Sequence, residues 1–302
     1  MKQLQTVTSI DQQVFNVRYW PCDSPKVRVQ ILHGMAEHCD RYDAFAQMLN
    51  QHHIEVIAHN HRGHGDRIST TQPQGHFADH NGWQLVLDDV TSAQQVGKQD
   101  VPLFILGHSM GSFIARAWSA QHPNKLAGLL LAGSNQQHPA LFYAARGLSK
   151  VLSLLQGKQH ASAIMDFMSF GSFNRAFKPN QTEFDWLCRD IEVLNAYIAD
   201  PYCGFLCTTQ FWHDFMGGLT YVTSQAGIDA LNKELPIYIL GGDKDPVGQM
   251  GKGLVLLERA LVKAGNNNVQ LKIYPNARHE ILNETNKEEV WQDLVEFLMG
   301  VV

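Results

Sequence analysis

The chain has 302 residues, 44% apolar and 18% charged, which suits one large globular core or a core carrying an insertion. A net charge of −5 with no basic run excludes a general nucleic-acid binder, because neutralising phosphates takes clustered Lys and Arg. No uncharged apolar stretch reaches the roughly 18 residues of a spanning helix. The polar residues 1–15 predict no secretory signal. Cys22, Cys39, Cys188, Cys203 and Cys207 are odd in number and widely spaced, which fits free thiols in the cytoplasm. Cys203 and Cys207 have no second pair to make a zinc site and read as buried small side chains.

In chain order, residues 3–10, 14–19 and 27–32 alternate as strands do, the third ending strongly apolar. Residues 54–58 form a short apolar run, and a helical pattern follows Gly82 through Val86, Leu87, Val90 and Ala93. Residues 102–106 are continuously apolar, as in a strand buried on both faces of a parallel sheet. Phe113, Ile114, Ala117 and Trp118 then sit at helical spacing, and residues 126–132 are apolar again. The pattern resumes at 236–240 and 269–274. It ends in a helix with Val290, Trp291, Leu294, Phe297 and Leu298 on one face, for which Asn286 and Glu289 form a capping pair. Alternating strands and helices predict an α/β sheet covered on both faces. Residues 135–235 differ: they hold helical patches and many aromatics, and read as an insertion between adjacent strands. The core is thus 1–134 together with 236–302.

Gly107-His108-Ser109-Met110-Gly111 is a G-x-S-x-G motif between the buried run and a helix, the context of a nucleophile turn. A sharp turn strains Ser109, small residues two before and two after let backbone pass, and the Met110 N–H can face a developing oxyanion. A serine needs a base, and the base needs an orienting acid, in chain order Ser, acid, His. His279, just after the last strand run, fits the base. The acid comes from Gly242-Asp243-Lys244-Asp245-Pro246, where Pro246 favours an extended Asp245 over a turn-forming Asp243. Gly34 bends the loop after residues 27–32, so the Met35 N–H is the second oxyanion donor and His33 braces the turn. His59, His61 and His64 have a metal-like spacing but lack the accompanying carboxylate. They read as a turn in which Arg62 bonds carbonyls, and no metal or cofactor is expected.

These residues together resemble the α/β-hydrolase fold, within it the lysophospholipase and monoacylglycerol lipase-like group of serine aminopeptidase-like hydrolases. The resemblance rests on His33 to His38, Asn60 to Gly65, Gly107 to Gly111, Asp245-Pro246-Val247 and Arg278-His279-Glu280. It implies a mostly parallel eight-stranded sheet, a helical cap at 135–235, and a triad of Ser109, Asp245 and His279 with Met35 at the oxyanion. Asn60 departs from the group's usual Asp. The implied partner is a small ester, a monoacylglycerol or lysophospholipid, with an aminopeptidase the alternative; Glu183, Asp185, Asp190 and Glu192 could then hold an ammonium. A non-catalytic binding protein of the same fold is a further alternative. Leu141 to Leu155, interrupted by Arg146 and Lys150, forms an amphipathic stretch suited to a lipid surface.

Overall fold

The computed structural model describes residues 1–302. Eight strands form one sheet: β1 Gln3–Thr8, β2 Val14–Trp20, β3 Val27–Leu32, β4 Ile54–His59, β5 Leu103–His108, β6 Gly128–Ala132, β7 Ile237–Gly242 and β8 Val269–Tyr274. Their order is β1-β2-β4-β3-β5-β6-β7-β8. β1 pairs antiparallel with β2 and β2 with β4, and all other pairs are parallel. The inner strands are buried along their whole length, which is why they read as continuous apolar runs rather than alternating ones.

Ten helices accompany the sheet: α1 Asp43–Gln51, α2 Gly82–Ala93, α3 Met110–Gln121, α4 Pro139–Gln156, α5 Ala163–Phe170, α6 Ile191–Ala199, α7 Thr209–Val222, α8 Gln225–Asp229, α9 Lys252–Lys263 and α10 Lys287–Gly300. Helices α1 and α10 cover one face, where Phe45, Leu49, Leu294 and Leu298 meet Val29, Val56 and Leu130. Helices α2, α3 and α9 cover the other, where Val86, Ile114 and Leu257 meet Ile105, Leu129 and Ile239. Helices α1 and α9 fall outside the expected elements. Both carry an apolar stripe, Phe45-Ala46-Leu49 and Leu254-Leu257-Leu261, diluted by polar neighbours.

Helices α4 to α8 all lie between β6 and β7. Phe142 and Leu152 of α4 and Phe211, Trp212, Phe215 and Met216 of α7 join the same apolar cluster as α2 and α3. The start of α10 differs from expectation. Asn286 occupies the N-cap position but caps no backbone N–H, because its Oδ1 accepts from Arg189 and its Nδ2 donates to Glu289.

The strand order fixes where loops can form a site. From β3 the chain moves outward to β4, then returns across β3 to β5. The loops leaving β3 and β5 therefore diverge, opening a crevice at the carboxyl ends of the strands.

Candidate active site

Ser109 sits on the turn between β5 and α3 with φ 51° and ψ −119°, a conformation L-residues rarely adopt. Its N–H donates to Ala132 on neighbouring β6, and its carbonyl accepts from both the N–H and the hydroxyl of Ser112. The flanking glycines are required by space. A Cβ at 107 would stand 2.3 Å from the Gly111 carbonyl oxygen, and one at 111 would stand 2.0 Å from that of Leu32. The Ser109 hydroxyl makes no hydrogen bond within the chain and lines a cavity of about 530 Å³.

The loop after β3 lies against this turn. A Cβ on Gly34 would stand 3.3 Å from that of Ser109. Met35 lines the same cavity, and its N–H has no acceptor in the chain. The Met110 N–H is the first of α3, where no intrahelical acceptor exists. His33 braces the loop: its Nδ1 donates to the Gly34 carbonyl and its Nε2 accepts from the His61 N–H.

His279 follows β8 and also lines the cavity, with Nδ1 3.0 Å from Oδ1 of Asp245 in the loop after β7. Neither Nδ1 nor the second oxygen, Oδ2, has a partner in good hydrogen-bond geometry. Such bonds often tighten only when substrate is bound. Oδ1 also accepts from the Val247 N–H, which fixes the carboxylate. Burial opposes a charge on the His279 ring, but the Asp245 carboxylate, joined by those of Glu280 and Glu37, outweighs it and holds the pKa above its ordinary value. Asp243 points elsewhere; it accepts from the Asn276 N–H and stands near Lys244.

A buried ionic cluster that the sequence reading did not single out joins the two loops. Arg41 makes a bidentate pair with Glu280, beside His279, and a second pair with Glu37. Glu37 in turn accepts from the Gly34 N–H at 2.6 Å and from the Tyr42 hydroxyl. Glu37 and Glu280 lie inside motifs visible in the sequence, and Arg41 stands four residues after Glu37, but its pairing with Glu280 spans 239 residues and leaves no local signal.

The residues after β4 serve structure. Arg62 pairs with Asp89 and Asp11 instead of with carbonyls, because both carboxylates are at hand to neutralise a fully buried guanidinium. Asn60 accepts from the Cys39 N–H and donates to Asp66. Aspartate at 60 would place a second carboxylate against Asp66, which explains the amide. His61 bonds the His33 carbonyl and His64 that of Arg62.

Of the four carboxylates considered for an ammonium, Glu183 alone lines the cavity. Asp185 accepts from the Gln181 and Thr182 N–H groups, and Asp190 caps α6. Asp166 lines the cavity as well, together with Phe167, Phe170, Phe184, Trp186, Leu187 and Phe205. Of the apolar residues of 135–235, Phe142, Leu152 and Met216 are core, whereas Phe167, Phe170 and Phe205 reach the cavity.

A serine on a strained strand-to-helix turn, at the switch point of this sheet and sharing its cavity with a carboxylate-paired histidine, defines a serine hydrolase of the α/β-hydrolase fold. The chain belongs to the serine aminopeptidase, S33 family, whose model matches residues 23–286. It is 26% identical to a monoglyceride lipase of Rattus norvegicus over 94% of this chain and 85% of that one. It is 27% identical to a monoacylglycerol lipase of Mycolicibacterium smegmatis over 93% and 90%. Its structure matches that of a thermostable carboxyl esterase from Bacillus coagulans, solved with glycerol, with a TM-score of 0.90, 28% identity and 100% and 99% of the two chains covered. The chain is a hydrolase of carboxylic esters.

Arg41→Ala leaves two buried carboxylates facing each other, and the expected loss is about 3–5 kcal/mol of stability, read from urea unfolding. A variant with an unchanged midpoint would remove Arg41 as the clamp. The buried imidazoles generate a second expectation. Burial lowers the pKa of His59, His64 and His108 to about 4 each, and those of His33 and His61 well below the ordinary value. Below pH ~6.5 the unfolded chain therefore binds more protons than the folded one, and stability falls as pH drops from there toward about 4. The urea midpoint should therefore be lower at about pH 4.5 than at pH 7, and an equal or higher midpoint at the acid pH would contradict the assignment.

Proposed function

We propose that the chain cleaves monoacylglycerol-like esters through an acyl-enzyme on Ser109, with His279 as base and Asp245 as its orienting acid. The observation that carries this reading is the shared cavity, onto which Ser109, His279 and the Met35 loop all open. His279 takes the Ser109 proton as the hydroxyl attacks the ester carbonyl. The N–H groups of Met35 and Met110 receive the oxyanion. His279 then protonates the leaving alcohol and activates water to release the acid. No residue in the scheme calls for a metal or cofactor. The relatives named as monoglyceride lipases and the esterase holding glycerol support a glycerol ester as substrate.

We read residues 135–235 as a cap, since they supply more than half of the residues lining the cavity, Phe167, Phe170, Trp186 and Phe205 among them. The cap also exposes Leu154 and Leu155 on α4 and Phe167 and Met168 on α5. That face suits contact with a lipid surface. No helix is long and apolar enough to cross a membrane. Five free cysteines support a cytoplasmic location.

Ser109→Ala should lower kcat by roughly 10⁴-fold or more and abolish labelling by a fluorophosphonate. An unchanged rate would end the reading. Activity needs His279 neutral, so a pKa above the ordinary ~6.5 moves the acid limb of the kcat/KM profile to higher pH. Asp245→Asn removes the charge that raises it. The limb should move to lower pH while kcat drops by about 10²–10⁴-fold. A limb that stays in place would exclude Asp245. Sedimentation with anionic liposomes, weakened in Leu154→Ser/Leu155→Ser, tests the lipid-facing surface; equal sedimentation of the variant would discard it.

A further inference from the structure

The cavity has an unusual charge balance. Four carboxylates line it, Glu37, Asp166, Glu183 and Glu280, and no lysine or arginine does. Arg41, from outside the lining, pairs with both Glu37 and Glu280 and balances one of their two charges. The carboxylates of Asp166 and Glu183 make neither a hydrogen bond nor an ion pair with any group of the chain. Both come from the inserted segment, Asp166 on α5 and Glu183 in the turn before α6. The two histidines of the lining do not compensate. His108 is held neutral by burial, and His279 is matched by Asp245.

Asp166 stands in the first turn of α5, where the helix dipole favours a negative charge. Half-buried among Phe167, Phe170 and Phe205, it nevertheless has its pKa raised by desolvation. An uncompensated carboxylate in an apolar wall costs stability. The apolar half of the cavity wall suits an acyl chain, which has no use for such a group.

We infer that Asp166 and Glu183 are specificity-determining residues that reject anionic esters, so that the cavity takes esters of uncharged polyols and excludes those bearing a phosphate. This rests on the reading of the cavity as the substrate site, and it separates the monoacylglycerol from the lysophospholipid class. The carboxylates accept hydrogen bonds from a polyol's hydroxyls. A phosphate in the same place would meet two like charges, the half-buried Asp166 and the exposed Glu183, with no guanidinium or ammonium in the lining to balance it.

The test uses the full chain and two water-soluble substrates with the same short acyl chain, the glycerol ester and the glycerol-3-phosphate ester. Wild type should favour the glycerol ester by about tenfold or more in kcat/KM. In Asp166→Asn/Glu183→Gln the preference should shrink by about threefold or more. A control carrying Asp229→Asn and Glu288→Gln loses the same charge from remote surfaces and should keep the wild-type preference. The single variants Asp166→Asn and Glu183→Gln, each lowering the preference, carry the test if the double variant fails to fold. Wild-type preference below about tenfold, a preference that survives in the cavity variants, or one that falls equally in the control overturns the inference. Loss of hydrolysis of both esters by wild type would instead overturn the underlying reading, and the inference with it.

Discussion

The structure depends on one backbone conformation, the left-handed φ of Ser109. Such a residue costs on the order of 1–3 kcal/mol and persists only where its surroundings over-determine it. Here they do. Gly107 and Gly111 permit an approach that a methyl group would block, the Ser109 N–H is fixed to β6, and its carbonyl is held twice by Ser112. The parallel sheet supplies the rigidity, since β5 is fully buried and paired on both sides. The strain turns the hydroxyl away from the protein's own acceptors and toward the cavity. A relaxed serine at a helix N-terminus would cap the helix, and its oxygen would then be engaged.

Electrostatics performs for the loops what packing performs for the sheet. Ala277, Ile281 and Leu282 anchor the loop after β8 in the core, and buried charges and polar groups add links between the loops. Arg41 ties the loop after β3 to the loop carrying His279 through two carboxylates. Arg278, beside His279, stacks on Phe177 and bonds the carbonyls of Asp185 and Cys188, joining the same loop to the inserted segment. Removing one member of a buried pair strands the other, so these links resist piecemeal change. Arg116 is the contrasting case. Burial lowers its pKa to about 9, and it is held by the Asn135 and Val222 carbonyls and the Gln136 amide rather than by a carboxylate. It connects α3, which begins at the serine, to α7.

Much of this was legible in the sequence, for physical reasons that differ by element. The inner strands were visible because burial on both faces leaves no polar alternation to confuse the pattern. Ser109 and its glycines were visible because a steric requirement writes itself as residue identity at fixed spacing. Helices α1 and α9 were hidden because their buried stripes, such as Leu254-Leu257-Leu261, are short and set among exposed polar residues. The partners of Arg62 were hidden for another reason. Asp11 and Asp89 lie 51 and 27 residues away, and local sequence carries no signal for such pairings.

The cavity marks the limit of that reading most clearly. Its wall draws on the loops after β3, β5 and β8 together with separate stretches of the inserted segment. Apolar composition could not separate Phe215, which packs in the core, from Phe167, which is 65% exposed yet lines the cavity. Nor could it separate Asp185, whose charge is consumed by backbone N–H groups, from Asp166, whose charge is not. In each case the residue type is the same, and what differs is the set of atoms that chain topology brings alongside. The core fixes where an ester carbonyl must sit. The unpaired groups of the inserted segment then govern which alcohol can follow it in, and that choice is encoded in contacts between segments rather than in any one of them.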